Sequence, residues 1–550
     1  MTSLQLSRAQ AAGTSVFSRG YLRELSLQDR LWLLPLTVAG TGVALAMAVF
    51  LLLQNYRALL SAGTMTGTDE LLFFFSFLAS GIFIFVLAVP ASLSRIFHSR
   101  DSALLMILPV TSSRILVSKL LLLYPLFLAL HLIFFLPAVF VFHSGMETGP
   151  WFFPAVVLQG IAGPLVPLTL GVLAAGLLAG LSTFSRHRVL MELAGMIVLL
   201  AALVVLQTAL SRQLMEGMTE SRIDPESAIL RFAGVSLKVL PPAAWAARSL
   251  SGPVWYLPLS AAFSAAVTLA GVAVLSRRFQ AVIGKIGETP VRAGARRHRS
   301  LSSRTGSPTG ALLAREWAVL SSSSVFLFEA VGEALVLPIL LLIFSLTIPD
   351  EVRTMVIGFL DSIEARGLPV FGALLLFTGI NTVSSTSLSR EGSCFSLSLS
   401  LPVPGKDHLA AKLLFHLAIF APALIIDIII LSILLKLPAV SLVYLLPGGF
   451  ASIFMIFALT VAVDLRNPML TWKHPQQAMK QNLNTLTGLG LSFASLTVTL
   501  AAGAGLYVTG LPEIAVGLLV TVLLSGGAWV FYKRAARLAE HAYSGGIEIL

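Results

Sequence analysis

Apolar runs of about twenty residues, recurring from one end of the chain to the other, decide what this sequence can fold into. A helix crosses a hydrocarbon core of ~30 Å in ~20 residues with every backbone group satisfied internally, so such runs read as membrane spans. Six fall near 31–53, 71–93, 116–142, 152–180, 189–210 and 254–275; six more fall near 326–348, 367–387, 410–433, 438–463, 484–509 and 511–531. Charged residues make up only 11% of the chain, against the roughly 25% that a water-facing surface demands. The fold class is therefore an all-α polytopic membrane protein with about 12 transmembrane helices. Pro125 and Pro137 in the third run, and Pro164 and Pro167 in the fourth, predict kinks.

Orientation follows from the basic residues. With the N-terminus inside, the inner loops and their flanks carry 28 of the 37 lysines and arginines. Basic loops stay on the cytoplasmic side, so both termini are placed there, in a multi-pass protein of the cell (plasma) membrane. The formal net charge of +11 has the same cause, and no nucleic-acid partner is expected.

The two sets of six spans share a signature. Ser92-Leu93-Ser94-Arg95 closes the second span and Ser387-Leu388-Ser389-Arg390 closes the eighth. After each comes Leu-Pro-Val, at 108–110 and 401–403, and then Lys-Leu-Leu, beginning at Lys119 and Lys412. Three matched blocks in one order indicate an internal repeat. Six is even, so the two halves are parallel, not inverted. Residues 1–275 form the first half and 311–550 the second. Residues 276–310 read as a basic, flexible cytoplasmic linker, rich in Arg with Gly, Ser and Pro and too polar to build a core. An amphipathic segment opens each half, carrying Phe17, Tyr21, Leu25 and Leu27 in one and Leu312, Leu313, Trp317 and Leu320 in the other. Both suit helices lying in the membrane interface.

Catalytic constellations are missing from the sequence. No Gly-x-x-x-x-Gly-Lys-Ser/Thr loop is present to cradle a phosphate, and the nine histidines have no metal-ligand spacing. Leu524-Ser525-Gly526-Gly527 imitates the start of an ATPase signature, but inside an apolar run it reads as small residues for close helix packing, as do Gly176 and Gly180. The lone Cys394 excludes an internal disulfide. The chain is expected not to be an enzyme, and to hold neither cofactor nor metal.

The order of interfacial helix, two spans, cytoplasmic helical loop, three spans, longer external segment and last span resembles the permease subunits of type-2 ATP-binding-cassette exporters, in a duplicated twelve-span form. The run from Arg100 and Asp101 to Val110 is similar to the loop that docks on the ATPase in that class, and so is Arg390-Glu391-Gly392 leading to Leu401-Pro402-Val403. Asp464-Leu465-Arg466-Asn467-Pro468 with Trp472, Lys473 and Lys480, and Leu313-Ala314-Arg315-Glu316-Trp317, also resemble recurring features of these permeases. The first half lacks an Asp-Leu-Arg-x-Pro counterpart, offering only Arg186-His187-Arg188.

The resemblance implies two ATPase subunits, which would bring ATP and magnesium, docked on loops around Arg95, Arg100, Asp101, Pro109 and Lys119, and around Arg390, Glu391, Pro402, Lys406 and Lys412. Arg186, Arg188, Asp464, Arg466 and Lys473 would make secondary contacts. Membrane lipid is the other partner. The alternative is an ion-coupled secondary transporter using Asp427, Glu329 and Glu333, the acidic residues within or near spans. For Asp427, structural pairing and a place on the transport path are both open. Glu192, at a span edge, reads as a headgroup-level charge.

Overall fold

A computed structural model of the chain describes residues 69–99, 109–183, 187–199, 241–288, 307–347, 365–472, 474–480 and 482–546, with scattered positions in 42–64, 201–202 and 354–362. All regular structure among them is helical. They divide into two compact units, one within 43–294 and one within 295–550.

The first unit contains α1 (Leu71–Ser92), α2 (Ser112–Gly145), α3 (Phe152–Ala162), α4 (Leu165–Ser182), α5 (188–199), α6 (Pro241–Ser251) and α7 (Tyr256–Glu288). Its core is aromatic: Phe73, Phe74, Phe77, Phe135, Phe142 and Phe152 interlock from α1, α2 and α3. Gly163 and Pro164 separate α3 from α4, which together make one candidate span, the fourth run of the sequence. By contrast α2 stays helical through Pro125 and Pro137.

The second unit contains α8 (Pro308–Leu320), α9 (Ser324–Thr347), α10 (Gly367–Thr378), α11 (Phe395–Leu399), α12 (Gly405–Leu434), α13 (Leu442–Arg466), α14 (Pro475–Met479), α15 (Leu483–Val508) and α16 (Glu513–His541). α8 meets α9 at 105°, as an entry segment turning into a span. Small residues bring α13 and α16 together: a Cβ on Gly517 would stand 2.3 Å from Tyr444, and one on Gly527 would stand 2.8 Å from the Met455 sulfur. Leu524 and Gly527 of the Leu-Ser-Gly-Gly string are thus packed, while Ser525 and Gly526 are exposed. Gly176 is packed in the first unit, 2.5 Å from Leu275 by the same measure, whereas Gly180 meets only ordinary contact at 3.8 Å.

Among the described residues, eight helices are long and apolar enough to cross a membrane, or nine with the bent α8–α9 pair. Two sequence expectations change. The span expected at 367–387 is α-helical only to Thr378; beyond it the chain runs through 3-10 turns at 384–386 and 389–394. The helix expected to end at 275 continues to Glu288, so Arg277, Arg278 and Lys285 lie on α7 and the first part of the expected linker is helical. Residues 289–306 lie outside the described set, as does the amphipathic segment around Phe17.

The repeat has a register in three dimensions. α2 and α12 both begin two residues after Leu-Pro-Val, and Lys119 and Lys412 are each the eighth residue of their helix, two turns in and buried.

Candidate functional site

Among the described residues, the most polar interior lies in the second unit, where 379–404 joins α10 to α12. Glu540 on α16 caps the start of α12, accepting from the backbone N–H of Gly405 (3.1 Å) and Lys406 (3.2 Å). Two turns on, the Lys412 ammonium donates to Glu316 (2.7 Å), Glu391 (2.7 Å) and the Ser387 carbonyl (3.1 Å). Glu391 also accepts from Arg315 (2.6 Å) and from the Ser398 hydroxyl (2.5 Å). Burial would push the Glu391 carboxyl up; Lys412 and Arg315 outweigh it and hold the group well below the usual carboxylate range. Arg390 donates to the Val383 carbonyl and to the Thr386 hydroxyl (3.2 Å). Burial pulls its pKa down, against the carboxylates of Glu316, Asp464, Glu333 and Glu391.

A second hub fixes the backbone entering the loop. Asp464, at the end of α13, accepts from the N–H of Leu388 (2.6 Å) and Ser389 (3.0 Å), from the Ser389 hydroxyl (2.5 Å) and from Asn484 (3.0 Å). Ser389 Oγ in turn accepts from the Met469 N–H (2.9 Å) and from Asn482 (3.1 Å), while the Trp472 indole donates to the Ser389 carbonyl (2.8 Å). Gly392 has φ +54°, and a Cβ there would meet Trp472 at 2.8 Å, so this turn accepts only glycine.

Beyond Gly392 the loop turns outward. On α11, Phe395 and Ser398 face in, Phe395 against Tyr543 (5.5 Å between rings), while Leu397 is 66% exposed. Leu401 is 43% exposed, and Cys394, Pro402 and Lys406 are exposed as well. Tyr543, in the π-helical turn after α16, stacks on His408 at 3.9 Å and donates to Glu391 at 3.4 Å.

This arrangement corrects the reading of the loop charges. Arg390, Glu391 and Lys412 are buried in their own unit and bonded to it, so they brace the loop from inside; the exposed face is carried by Leu397, Leu401, Pro402 and Lys406. Asp464 is likewise internal, and Arg466 is exposed. In the first unit Arg95 and Lys119 are buried and Pro109 is exposed. Arg100, Asp101, Arg186 and Lys473 lie outside the described residues. Glu192, expected at the headgroup level, is buried within its unit and accepts from Ser182 (2.8 Å) and Arg188 (3.3 Å), with His98 at 3.3 Å.

Residues 41–526 match the family model described as a membrane protein of 12 TMs. The chain belongs to that family. The eight or nine candidate spans among the described residues fall within the twelve that the family description gives. No curated protein and no solved structure gives a significant match.

The acidic residues of this twelve-span protein part company. Glu329 and Glu333 share Lys480 at 2.9 and 3.2 Å, and Glu333 also accepts from the N–H of Thr382 (2.8 Å) and Val383 (3.3 Å). Both are held by Lys480, and Glu333 by the loop backbone as well. Asp427 is different: it is 5% exposed, its Oδ1 is buried without a partner, and no described residue bonds to it. Asp427→Asn removes no partner, so it should not lower the unfolding midpoint of the solubilised protein. A clear drop would expose a structural role for Asp427. Among the described residues no group of His, Cys, Asp and Glu could hold a metal.

Glu316 was missed as a site residue, although its position carried a signal. It stands one turn from Leu312 and one from Leu320, both buried, so a carboxylate occupies the buried stripe of α8 and demands a cation. Ser389, Asn482 and Tyr543 gave no comparable sign.

Proposed function

We propose that this protein is the transmembrane permease component of an ATP-binding-cassette exporter, driven by separate ATPase subunits that bring ATP and magnesium and dock on the loops before α2 and α12. The observation that carries this reading is the loop at 391–404: an apolar tip at Leu397 and Leu401, on a base locked to α8, α12, α13 and α16. A surface that only meets water has no use for such bracing. A surface that takes up the stroke of a partner does, because a rigid mount passes displacement into the spans. The repeated sequence and the matched positions of Lys119 and Lys412 support a second such loop in the first half. Ion-coupled secondary transport is the alternative, and Asp427 is the residue that favours it.

The test is the double variant Leu397→Glu/Leu401→Glu. Both side chains are exposed, so the protein should reach the membrane at the wild-type level. Charges placed in the core of a docking patch should remove at least about nine-tenths of the ATPase activity that co-purifies with it. Full retention of that activity, or ATP hydrolysis by the chain purified alone, would refute the proposal.

A further inference from the structure

The buried face of α12 carries four ionisable residues: His408, Lys412 and His416 at four-residue steps, then Asp427 three turns further on. The first three are engaged. His408 stacks on Tyr543, Lys412 holds its three acceptors, and His416 Nδ1 lies 2.5 Å from the Lys412 carbonyl. Asp427 has no such contact among the described residues.

Its neighbours are hydrocarbon. Ala423, Leu424, Ile428 and Leu431 adjoin it on the helix, and Leu424 and Ile428 share a core with Leu445 and Ile453 of α13. Ile426, Ile429 and Ile433, on the other side of α12, are exposed, so Asp427 turns away from lipid and into protein. Nor does a charge reach it from the elements packed on α12, which are α8, α9, α13, α16 and the turn after α16. Arg315, Glu316 and Tyr543 belong to the loop network, and Glu329 and Glu333 hold Lys480. Asp464 anchors the loop backbone, and Glu513 accepts from the Tyr444 hydroxyl. Arg466 and the basic residues late in α16 are exposed.

We propose that Asp427 is a proton-binding site, occupied at neutral pH. An isolated carboxylate inside a span demands neutralisation. A metal cation needs several oxygen ligands, and these hydrocarbon neighbours supply none. A cationic cargo needs an open approach, and Asp427 is 5% exposed. A proton needs one oxygen lone pair. Release of that proton would leave a charge that the α12–α13 packing does not accommodate, so occupancy of the site is tied to the packing of this helix pair. The site is compatible with either energy source for transport, and ATPase capture on Leu397 and Leu401 stands or falls separately.

The test is infrared spectroscopy of the purified full chain in detergent, made with aspartate carrying heavy carbon at its side-chain carboxyl. At neutral pH the wild type should show the C=O band of a protonated aspartic acid, displaced by the label and again by deuterium oxide. Asp427→Asn should lack that band. The label assigns it to aspartate in the wild type alone, so this arm stands even if the variant fails to fold. Thermal unfolding gives a second readout. The unfolded chain releases this proton above about pH 4 while the folded chain keeps it, so the stability it lends is complete in acid and is lost as the pH rises. The unfolding midpoint of the wild type should therefore fall relative to that of Asp427→Asn between about pH 5 and about pH 8. Absence of the labelled band, or a difference in midpoints that stays flat with pH, would overturn the proposal. Sodium that stabilises the wild type and not Asp427→Asn would overturn it in favour of a metal ion.

Discussion

Lys412→Met should nearly abolish recovery of folded protein, because Lys412 is, among the described residues, the cation bonded to both Glu316 and Glu391. Assembling a buried ion network gains little overall, but taking out one member strands the opposite charge, at about 3–5 kcal/mol. Arg315 cannot compensate: it reaches Glu391 and Ser398, and Glu316 keeps only Lys412 as an ion-pair partner among the described residues. The damage should be reversible in a telling way. Lys412→Met/Glu316→Gln/Glu391→Gln carries no stranded carboxylate, Arg315 is exposed enough to be solvated, and buried Arg390 keeps the carboxylates of Asp464 and Glu333. The triple variant should therefore be more stable than the single one. Fluorescence-detected size exclusion after a temperature series would rank the three proteins. A single variant as stable as wild type, or a triple variant worse than the single, would contradict the network.

Asp464→Ala should be the other severe loss, on the order of 3 kcal/mol or more, since it leaves two backbone N–H groups, a hydroxyl and an amide without their acceptor in a buried place. Asp464→Asn should cost less, because one oxygen can still receive the N–H groups of Leu388 and Ser389. The native Cys394 gives a local readout, being exposed on the loop that Asp464 anchors. A spin label there should report a more mobile loop in Asp464→Ala than in wild type. Unchanged label mobility together with unchanged stability would mean that the loop is held by other contacts.

What could be read from the sequence was what repeats or averages. Apolar runs indicated the all-helical membrane fold, and the matched strings indicated a repeat, whose common register at the starts of α2 and α12 came from the structure. The polar interior was hidden for a simple reason: its partners are distant in the chain. Lys412 and Glu316 lie 96 residues apart, and Lys480 and Glu333 lie 147 apart. A charge in a loop looks like a surface charge until its partner is known, which is how Arg390 and Glu391 came to be expected at a docking face. The interrupted span had a visible sign that averaging removed: from Asn381 to Ser389 all but two residues are Asn, Ser or Thr. Such side chains compete for backbone groups and break helices where they cluster.

The shortness of α10 bears on how the protein is made. Twelve residues of helix rise only ~18 Å, well short of a ~30 Å hydrocarbon core. The backbone that follows depends on Asp464, and Lys480 holds the Glu333 carboxylate that caps Thr382. Those residues leave the ribosome some eighty to a hundred residues after the segment they complete. When residues 379–391 first reach the membrane, their N–H and C=O groups have neither a helix nor a partner to satisfy them, and lipid offers none. This stretch must wait at the interface, or under the protection of the insertion machinery, until α13 and α14 have been synthesised. Chains truncated just before Asp464 should thus leave it unassembled and open to protease.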